Sequence, residues 1–463
     1  MKLFKEYLSE VSGLRYIYDC LNLSSIGRKC LLNQRMFTND SALNEIYLIL
    51  INFSQTSPEF QNEVIPKIQN YIAQINDIET TLNNLKNGII LDDIELFEIK
   101  KLAIYNQKIL ELIKNEKKCN NLKIFNLQNV IKILNPDDII TDSFYIFSSY
   151  NEKLNFLRNE EKKYAKTDEQ KSLEIRLESL KLEQSIREDI CHNLRFCSIN
   201  LLNNLLILGQ LDLLLAKFKQ GSSVDFPLLF GIPINNSNVQ LNLVDFWNPE
   251  IQNLLNKQTK IFQSIDIQLN NEPVLIMGAN MSGKTVILKT VALLQILYQF
   301  GFMIPAKESS FQAFDEIITV IGDKQSESNG LSSFASEMLA INDIIKKVKS
   351  GKKLLVCVDE LARTTNPHEG KAIVSAFLDF LKAHKVNALI STHYDIDTEN
   401  IRKLRVKGLN FDNPDRININ NINDFMDYSL LEIKNSDVPN DALKIAKILN
   451  VDEDLITQAE KYL

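Results

Sequence analysis

Apolar residues in the first part of the chain recur every three or four positions, the spacing that lines one face of a helix. From Ser41 the series Leu43, Ile46, Tyr47, Ile49, Leu50 predicts one helix, and Glu63 to Leu85 predicts another, with Pro66 near its start and Asn87-Gly88 as its stop. Leu96 to Ile113 repeats the pattern, and Asn135-Pro136-Asp137 predicts a turn. Neither proline nor glycine occurs between Pro136 and Gly209. Within that stretch, Asn151 to Arg187 is dense in charge, with Leu154, Leu157, Leu173, Ile175, Leu177, Leu180 and Leu182 interleaved. This predicts a long helical hairpin or lever whose charges form a solvated face. Asn200 to Lys217 is far more apolar, so the chain is expected to return there to a buried position. His192, near the join, has no partner four residues on and reads as a packed or capping histidine rather than a metal ligand.

Beyond about Gly221 the texture changes. Only Gly13, Gly27 and Gly88 precede Gly209, and the other eleven of the 14 glycines lie from there on. Strand-type runs at Val274 to Met277, Ile317 to Ile321, Leu354 to Val358 and Ala388 to Ser391 alternate with helical patterns at Thr285 to Phe300, Phe334 to Lys347 and Glu369 to Lys382. That order is the one expected of an α/β P-loop sheet with helices on both faces, preceded by a mainly α-helical core and lever domain. Leu404 to Lys434 reads as polar-decorated strands, and Asp437 to Leu463 as two short amphipathic helices separated at Asn450-Val451-Asp452. The expected division is 1–220 helical, 221–435 α/β, and 436–463 a C-terminal helical element.

Composition changes this picture little: 45% hydrophobic and 24% charged residues among 463 are ordinary globular values and allow more than one domain. A net charge of -7 gives no overall attraction to a phosphate backbone, although a local basic patch is compatible with it. The six cysteines form no C-x-x-C pair, so neither a zinc clip nor a redox motif is indicated, and a reducing cytoplasm fits. The first residues lack an apolar leader, and no uninterrupted apolar run reaches spanning length, so a cytoplasmic protein is expected.

The candidate chemistry begins after the strand Val274-Leu275-Ile276-Met277, where Gly278-Ala279-Asn280-Met281-Ser282-Gly283-Lys284-Thr285 fills every fixed position of G-x-x-x-x-G-K-T. Glycines at 278 and 283 let backbone N–H groups curl around phosphate oxygens at a helix N-terminus. Asn280 lies within this loop. Lys284 is placed to reach the β and γ phosphates of ATP, and Thr285 to hold Mg²⁺. The run Leu354 to Val358 ends in Asp359-Glu360, at the strand edge that faces the ligand crevice in an open α/β sheet. Asp359 suits the surroundings of Mg²⁺, and Glu360 the base or orienter of an attacking water. Ala388 to Ser391 delivers Thr392-His393-Tyr394 to the same edge; His393 reads either as a sensor of the γ-phosphate or its water, or as a satisfied histidine at a strand end.

These pieces, with Phe302-Met303-Ile304-Pro305-Ala306 and Gly330-Leu331-Ser332-Ser333-Phe334-Ala335-Ser336-Glu337-Met338 between them, occur in the order and approximate spacing of the MutS family of ATPases, which the chain resembles. The resemblance implies an ABC/MutS-type ATPase domain and a composite homodimer in which Gly330-Leu331-Ser332 contacts the nucleotide of the other subunit, placing Ser332 among the catalytic candidates. It also implies that Phe262 stacks on adenine; a packed core phenylalanine is the rival reading. Leu23 to Arg28, Asn33-Gln34-Arg35 and Gly209-Gln210-Leu211-Asp212 resemble the family's helical core, and Asn440 to Leu463 its C-terminal dimer element. Phe4-Lys5-Glu6 superficially copies a Phe-x-Glu wedge but has no domain to present it. Room for a separate mismatch-reading domain is not expected, nor a nuclease domain after Leu463.

Where the family has Ile-Gly-Arg-Gly-Thr after the acidic pair, this chain reads Leu361-Ala362-Arg363-Thr364-Thr365-Asn366-Pro367. That variant resembles the ATPase subunit of the lysine 5,6-aminomutase reactivase. It implies an ATP-driven remodeller of an adenosylcobalamin-dependent aminomutase, working with a second reactivase subunit. The alternative is a DNA-binding homologue acting on mismatched or branched DNA, for which Lys114, Lys117, Lys118, Lys123, Lys153, Arg158, Lys162 and Lys163 are the candidate basic lining. A third reading is a structural dimer that binds nucleotide without hydrolysing it.

Overall fold

The computed structural model describes residues 2–114, 116, 123–137, 143–221, 232–233, 239–279, 282–322, 333–363, 365–394, 396, 401–409, 417, 421–433, 443, 446–447 and 451–461. In chain order the helices are α1 (Phe4–Glu10), α2 (Leu14–Asp19), α3 (Ser25–Leu32), α4 (Asp40–Ser54), α5 (Ile65–Ala73), α6 (Glu79–Lys86), α7 (Asp93–Ile113), α8 (Gln128–Leu134), α9 (Glu152–Tyr164), α10 (Glu169–Arg195) and α11 (Ser198–Gly221). Then come β1 (Ile232–Pro233), β2 (Leu241–Phe246), α12 (Pro249–Asn256), β3 (Ile265–Leu269), β4 (Pro273–Met277), α13 (Lys284–Gln299), β5 (Glu308–Phe311) and β6 (Glu316–Val320). The remainder is α14 (Ser333–Lys349), β7 (Leu354–Val358), α15 (Pro367–Ala383), β8 (Asn387–Ser391), β9 (Arg402–Leu409), β10 (Met426–Ile433) and α16 (Glu453–Glu460).

Two compact units share the chain. One comprises Met1–Leu21, Gln34–Ile49 and Lys219–Leu463, the other Asn22–Asn33 and Leu50–Phe218. In the first, six strands lie in the order β10-β9-β4-β8-β7-β6, all parallel except the edge strand β10, which runs antiparallel to β9. All five residues of each of β4, β7 and β8 are buried, as befits parallel strands covered on both faces. A smaller sheet, β1-β5-β2-β3, accompanies it. Its strands are four to six residues long, apart from the two-residue β1, and Leu241-Asn242-Leu243 and Ile265-Asp266-Ile267-Gln268-Leu269 alternate apolar with polar as half-buried strands do, a signal too short to stand out against the helical patterns.

The N-terminal residues are part of this α/β unit for a physical reason. Phe4 is fully buried, edge-on to Phe300 at 5.0 Å and stacked on Phe302 at 6.0 Å, while the Glu6 carboxylate accepts from the Leu3 N–H at 2.5 Å and closes the start of α1. Phe4 and Glu6 therefore act as packing and capping residues. The C-terminal end of α13 is tied down in the same way. Gln299 Nε2 donates to the carbonyls of Phe37 and Phe314, both at 2.7 Å, and its Oε1 accepts from Phe314 N and Gln295 Nε2. Tyr298 donates to Asp40, and Tyr47 to the Phe302 carbonyl. Gln299→Ala is expected to lower stability by about 2–4 kcal/mol, since several buried backbone groups lose their only side-chain partner. Denaturant unfolding measures this, and a loss under about 0.5 kcal/mol would show that the network is dispensable.

In the helical unit, the long helix expected from Glu63 to Leu85 is broken. A π-helical turn at Phe60–Val64 leads into α5, and the chain leaves helix between Ala73 and Glu79, where Asp77 Oδ1 accepts from the Glu79 N–H. A short polar side chain there offers the backbone an alternative to the helical ladder. The 92–113 stretch behaves as patterned: Asp92 and Glu95 form a reciprocal capping box on α7. The predicted hairpin is α9 packed on α10, with Leu154, Leu157, Ser179, Ile186 and Ile190 buried. His192 is exposed, its ring edge-on to Phe196, which is exposed as well, so the packing expected of it is not seen.

Helix α11 carries an apolar run that Asn203, Asn204, Gln210 and Asp212 interrupt. It is long and apolar enough to cross a membrane by length and composition, with mean hydropathy 1.5 over its best window, 56% of which is buried in the fold. Its polar residues have protein partners: Asp212 accepts from Ser24 N and Oγ at 2.8 and 2.7 Å, and Asn204 bonds Asn106 and Phe125. Burial raises the Asp212 carboxyl, with the Ser24 bonds acting against it, and lowers the Lys217 ammonium to about 7. These are the marks of a core helix.

Candidate functional site

Three neighbouring parallel strands, β4, β8 and β7, end at the same edge of the large sheet, so the loops that follow them converge. The loop after β4 depends on its glycines. Gly278 has φ +153°, and a Cβ there would lie 2.7 Å from Ser282 Oγ. Gly283, at φ +85°, caps α13, and a Cβ there would lie 3.0 Å from the Tyr428 ring. Lys284 is buried and folds back over the loop, its Nζ donating to the Gly278 carbonyl at 2.7 Å and the Ala279 carbonyl at 2.9 Å. Burial lowers its ammonium below the usual value, and the charges of Glu360 and Asp359 act against that. Ser282 Oγ is buried with no hydrogen-bond partner among the described residues.

Asp359 is held from both sides. Thr285 Oγ1 donates to its Oδ2 at 2.6 Å, and Ser391 Oγ donates to its Oδ1 at 2.5 Å while accepting from the Glu360 N–H at 2.8 Å. One serine at the end of β8 thus fixes both acidic residues. Glu360 sits at φ +50°, a left-handed conformation that a non-glycine residue adopts only under constraint. Its Oε1 lies 2.6 Å from His393 Nε2, and its Oε2 accepts from Arg363 at 2.7 Å. Burial would raise this carboxyl, but the neighbouring His393 and Arg363 outweigh it and hold the group below the ordinary carboxylate range.

The next residues show how the chain accommodates its departure from Ile-Gly-Arg-Gly-Thr. Ala362 is fully buried at φ +60°, a conformation that glycine takes without strain. It is pinned there: its N–H donates to Glu337 Oε2 at 3.1 Å, and its carbonyl accepts from Tyr394 Oη at 2.7 Å. Glu337 on α14 and Tyr394 after β8 thereby brace the backbone just beyond Glu360.

Of the residues singled out in the sequence, Gly278, Gly283, Lys284, Thr285, Asp359, Glu360 and His393 come together at this edge. Asn280 and Ser332 lie outside the described residues. Phe262 is half-buried on the segment before β3. Its neighbour Gln263 accepts from the Tyr428 N–H at 3.0 Å and donates to Asp427 at 2.8 Å, which ties that segment to β10. Tyr428, against Gly283, and Ser391, between the two acids, are the members that sequence reasoning missed. Tyr428 falls in a stretch whose pattern says only strand, and the place of Ser391 follows from the register of β8 on β7.

The donor set fits a triphosphate and a divalent cation. The loop offers a buried ammonium and an unpartnered buried hydroxyl to anionic oxygens, and Thr285 with Asp359 offers a hydroxyl and a carboxylate to a hard cation. Comparison with known proteins agrees. Residues 274–463 match the MutS domain V family, a P-loop ATPase domain. The chain is 34% identical over 234 residues to Endonuclease MutS2 of Ligilactobacillus salivarius, covering 50% of this chain and 27% of that protein. It is 37% identical over 193 residues to Endonuclease MutS2 of Clostridium kluyveri, covering 42% and 23%. It is 30% identical over 289 residues to Endonuclease MutS2 of Leuconostoc citreum, covering 62% and 34%. The chain spans about a third or less of the length of these relatives. Together these findings show similarity to the MutS ATPase domain over residues 274–463.

Proposed function

We propose that the chain binds and hydrolyses ATP with Mg²⁺ and uses the cycle to switch the conformation of a homodimer. The observation that carries this is the convergence of Lys284, Thr285, Asp359, Glu360 and His393 on one sheet edge next to a glycine loop. Lys284 would exchange its carbonyl bonds for phosphate oxygens. Thr285 and Asp359 would hold Mg²⁺, which when bound neutralises phosphate charge. Glu360 would orient and deprotonate the attacking water, with His393 and Arg363 keeping its carboxylate charged and aimed. Phe262 is the proposed adenine contact and Ser332 the proposed contribution from a second copy. The segment 436–463 is the proposed dimer element, of which α16 is the described helix.

For the partner, the shared name Endonuclease MutS2 among the relatives favours DNA over the aminomutase. Of the candidate basic lining, Lys117 and Lys118 lie outside the described residues. Lys153 pairs with Glu178, Arg158 with Glu183 and Lys163 with Glu160, so a backbone contact by these three exchanges a carboxylate for a phosphate. The Ala362 to Pro367 variant supports the second reading, an aminomutase reactivase. Retention on branched DNA in the presence of ATP separates the two. Binding that weakens steeply between about 50 and 200 mM salt is expected for DNA. No retention, with recovered turnover of an inactivated aminomutase supplied with the second reactivase subunit and fresh cobalamin, would establish the protein partner instead.

A further inference from the structure

Helix α10 buries one face, through Ser179, Ile186 and Ile190, and exposes another. Leu173, Leu177 and Leu180 are 57%, 52% and 49% exposed. At about 100° per residue these three lie roughly 100–160° around the helix from the buried face, so they belong to a separate apolar stripe. Their spacing of four and then three places them at successive d, a and d positions of a heptad, with Gln170 and Gln184 at the flanking a positions. We propose that this stripe pairs antiparallel with the same stripe of a second copy of the chain.

Charge selects the orientation. When Leu177 of one copy is layered with Leu180 of the other, the residues flanking that layer are Lys181 against Glu174 and Arg176 against Glu183, each occurring twice by symmetry. Parallel pairing in register would instead set Arg176 against Lys181 of the other copy and Glu169 against Glu174, like charges in both cases. Glu174, Arg176 and Lys181 are exposed, while Glu183 also serves Arg158 of its own chain, so the Lys181–Glu174 pair carries more of the selectivity.

The antiparallel register also explains a second feature. It layers Leu173 of one copy beside Gln184 of the other. Gln184 and Arg187 line an open surface depression of about 530 Å³ together with Ile90, Leu91, Asp92, Asp93 and Ile94. Ile94 is 74% exposed and Ile90 43%. The depression thus offers apolar walls where the far end of the partner's stripe arrives, and contact of Leu173 with them covers both exposed groups at once.

Covalent trapping in the full-length chain tests the arrangement. Leu173→Cys and Gln184→Cys variants, one of them mass-tagged, are mixed under mild oxidation with the parent chain as control for its own cysteines. A mixed dimer at least five-fold above either homodimer is expected, because antiparallel pairing brings 173 beside 184 and separates the two 173 positions by roughly 16 Å. Dominant homodimers would overturn the orientation, and no product above the parent would overturn the contact. Lys181→Glu in both variants should cut the yield about five-fold, and adding Glu174→Lys should restore it. An unchanged yield across these exposed-site substitutions would overturn the charge pairing.

Discussion

Lys284→Ala is expected to abolish measurable ATP binding while leaving the fold intact. The ammonium is the one positive charge that the described loop presents from inside, and it already makes two hydrogen bonds at 2.7 and 2.9 Å to loop carbonyls. A buried charge-assisted bond to phosphate contributes roughly 2–4 kcal/mol, so affinity should fall at least about 30- to 1,000-fold. Equilibrium titration with a fluorescent ATP analogue reads this directly. Retention of affinity within three-fold of the parent would mean that phosphate is held elsewhere, and the proposed site would be wrong. Thermal unfolding without nucleotide separates a binding defect from a folding one: the Gly278 and Ala279 carbonyls regain water at the open loop, so little stability should be lost.

Glu360→Gln should have the complementary effect, with binding kept and hydrolysis reduced by about 10²- to 10⁴-fold. The amide keeps the shape of the carboxylate but can neither take a proton nor balance the charge of Arg363. Its neighbour gives the same prediction a pH signature. His393 and Arg363 hold the Glu360 carboxyl below its ordinary range, so the charged form persists at neutral pH and below. Removing the ring in His393→Ala takes away a stabilising partner of the charged form, and the acid limb of the rate profile should move upward in pH. Single-turnover phosphate release across pH 4 to 8 measures both variants. Turnover of Glu360→Gln equal to that of the parent would rule out this carboxylate as the base.

The large sheet could be read from sequence because its strands are uniformly apolar and separated by amphipathic helices, a pattern few other architectures produce. The end residues of β7 and β8 were placed at the ligand edge by the same logic, and the distances among Thr285, Asp359, Glu360 and His393 show them meeting there. The small sheet stayed hidden since the alternation in β2 and β3 spans only five or six residues and the strands pair across long separations in sequence. The attachment of Phe4 and Tyr47 to the end of α13 was equally illegible, because a buried aromatic at helical spacing does not name its partner. Ser391 shows the same limit at the site. A serine ending a strand is commonplace, and only the pairing of β8 with β7 sets it between two acids.

The resting position of Lys284 has a thermodynamic corollary. A lysine already satisfied by its own loop is an internal competitor for the incoming anion, so association must displace two bonds before it gains new ones. Such a loop discriminates against short anions that cannot offer a full replacement set, inorganic phosphate among them.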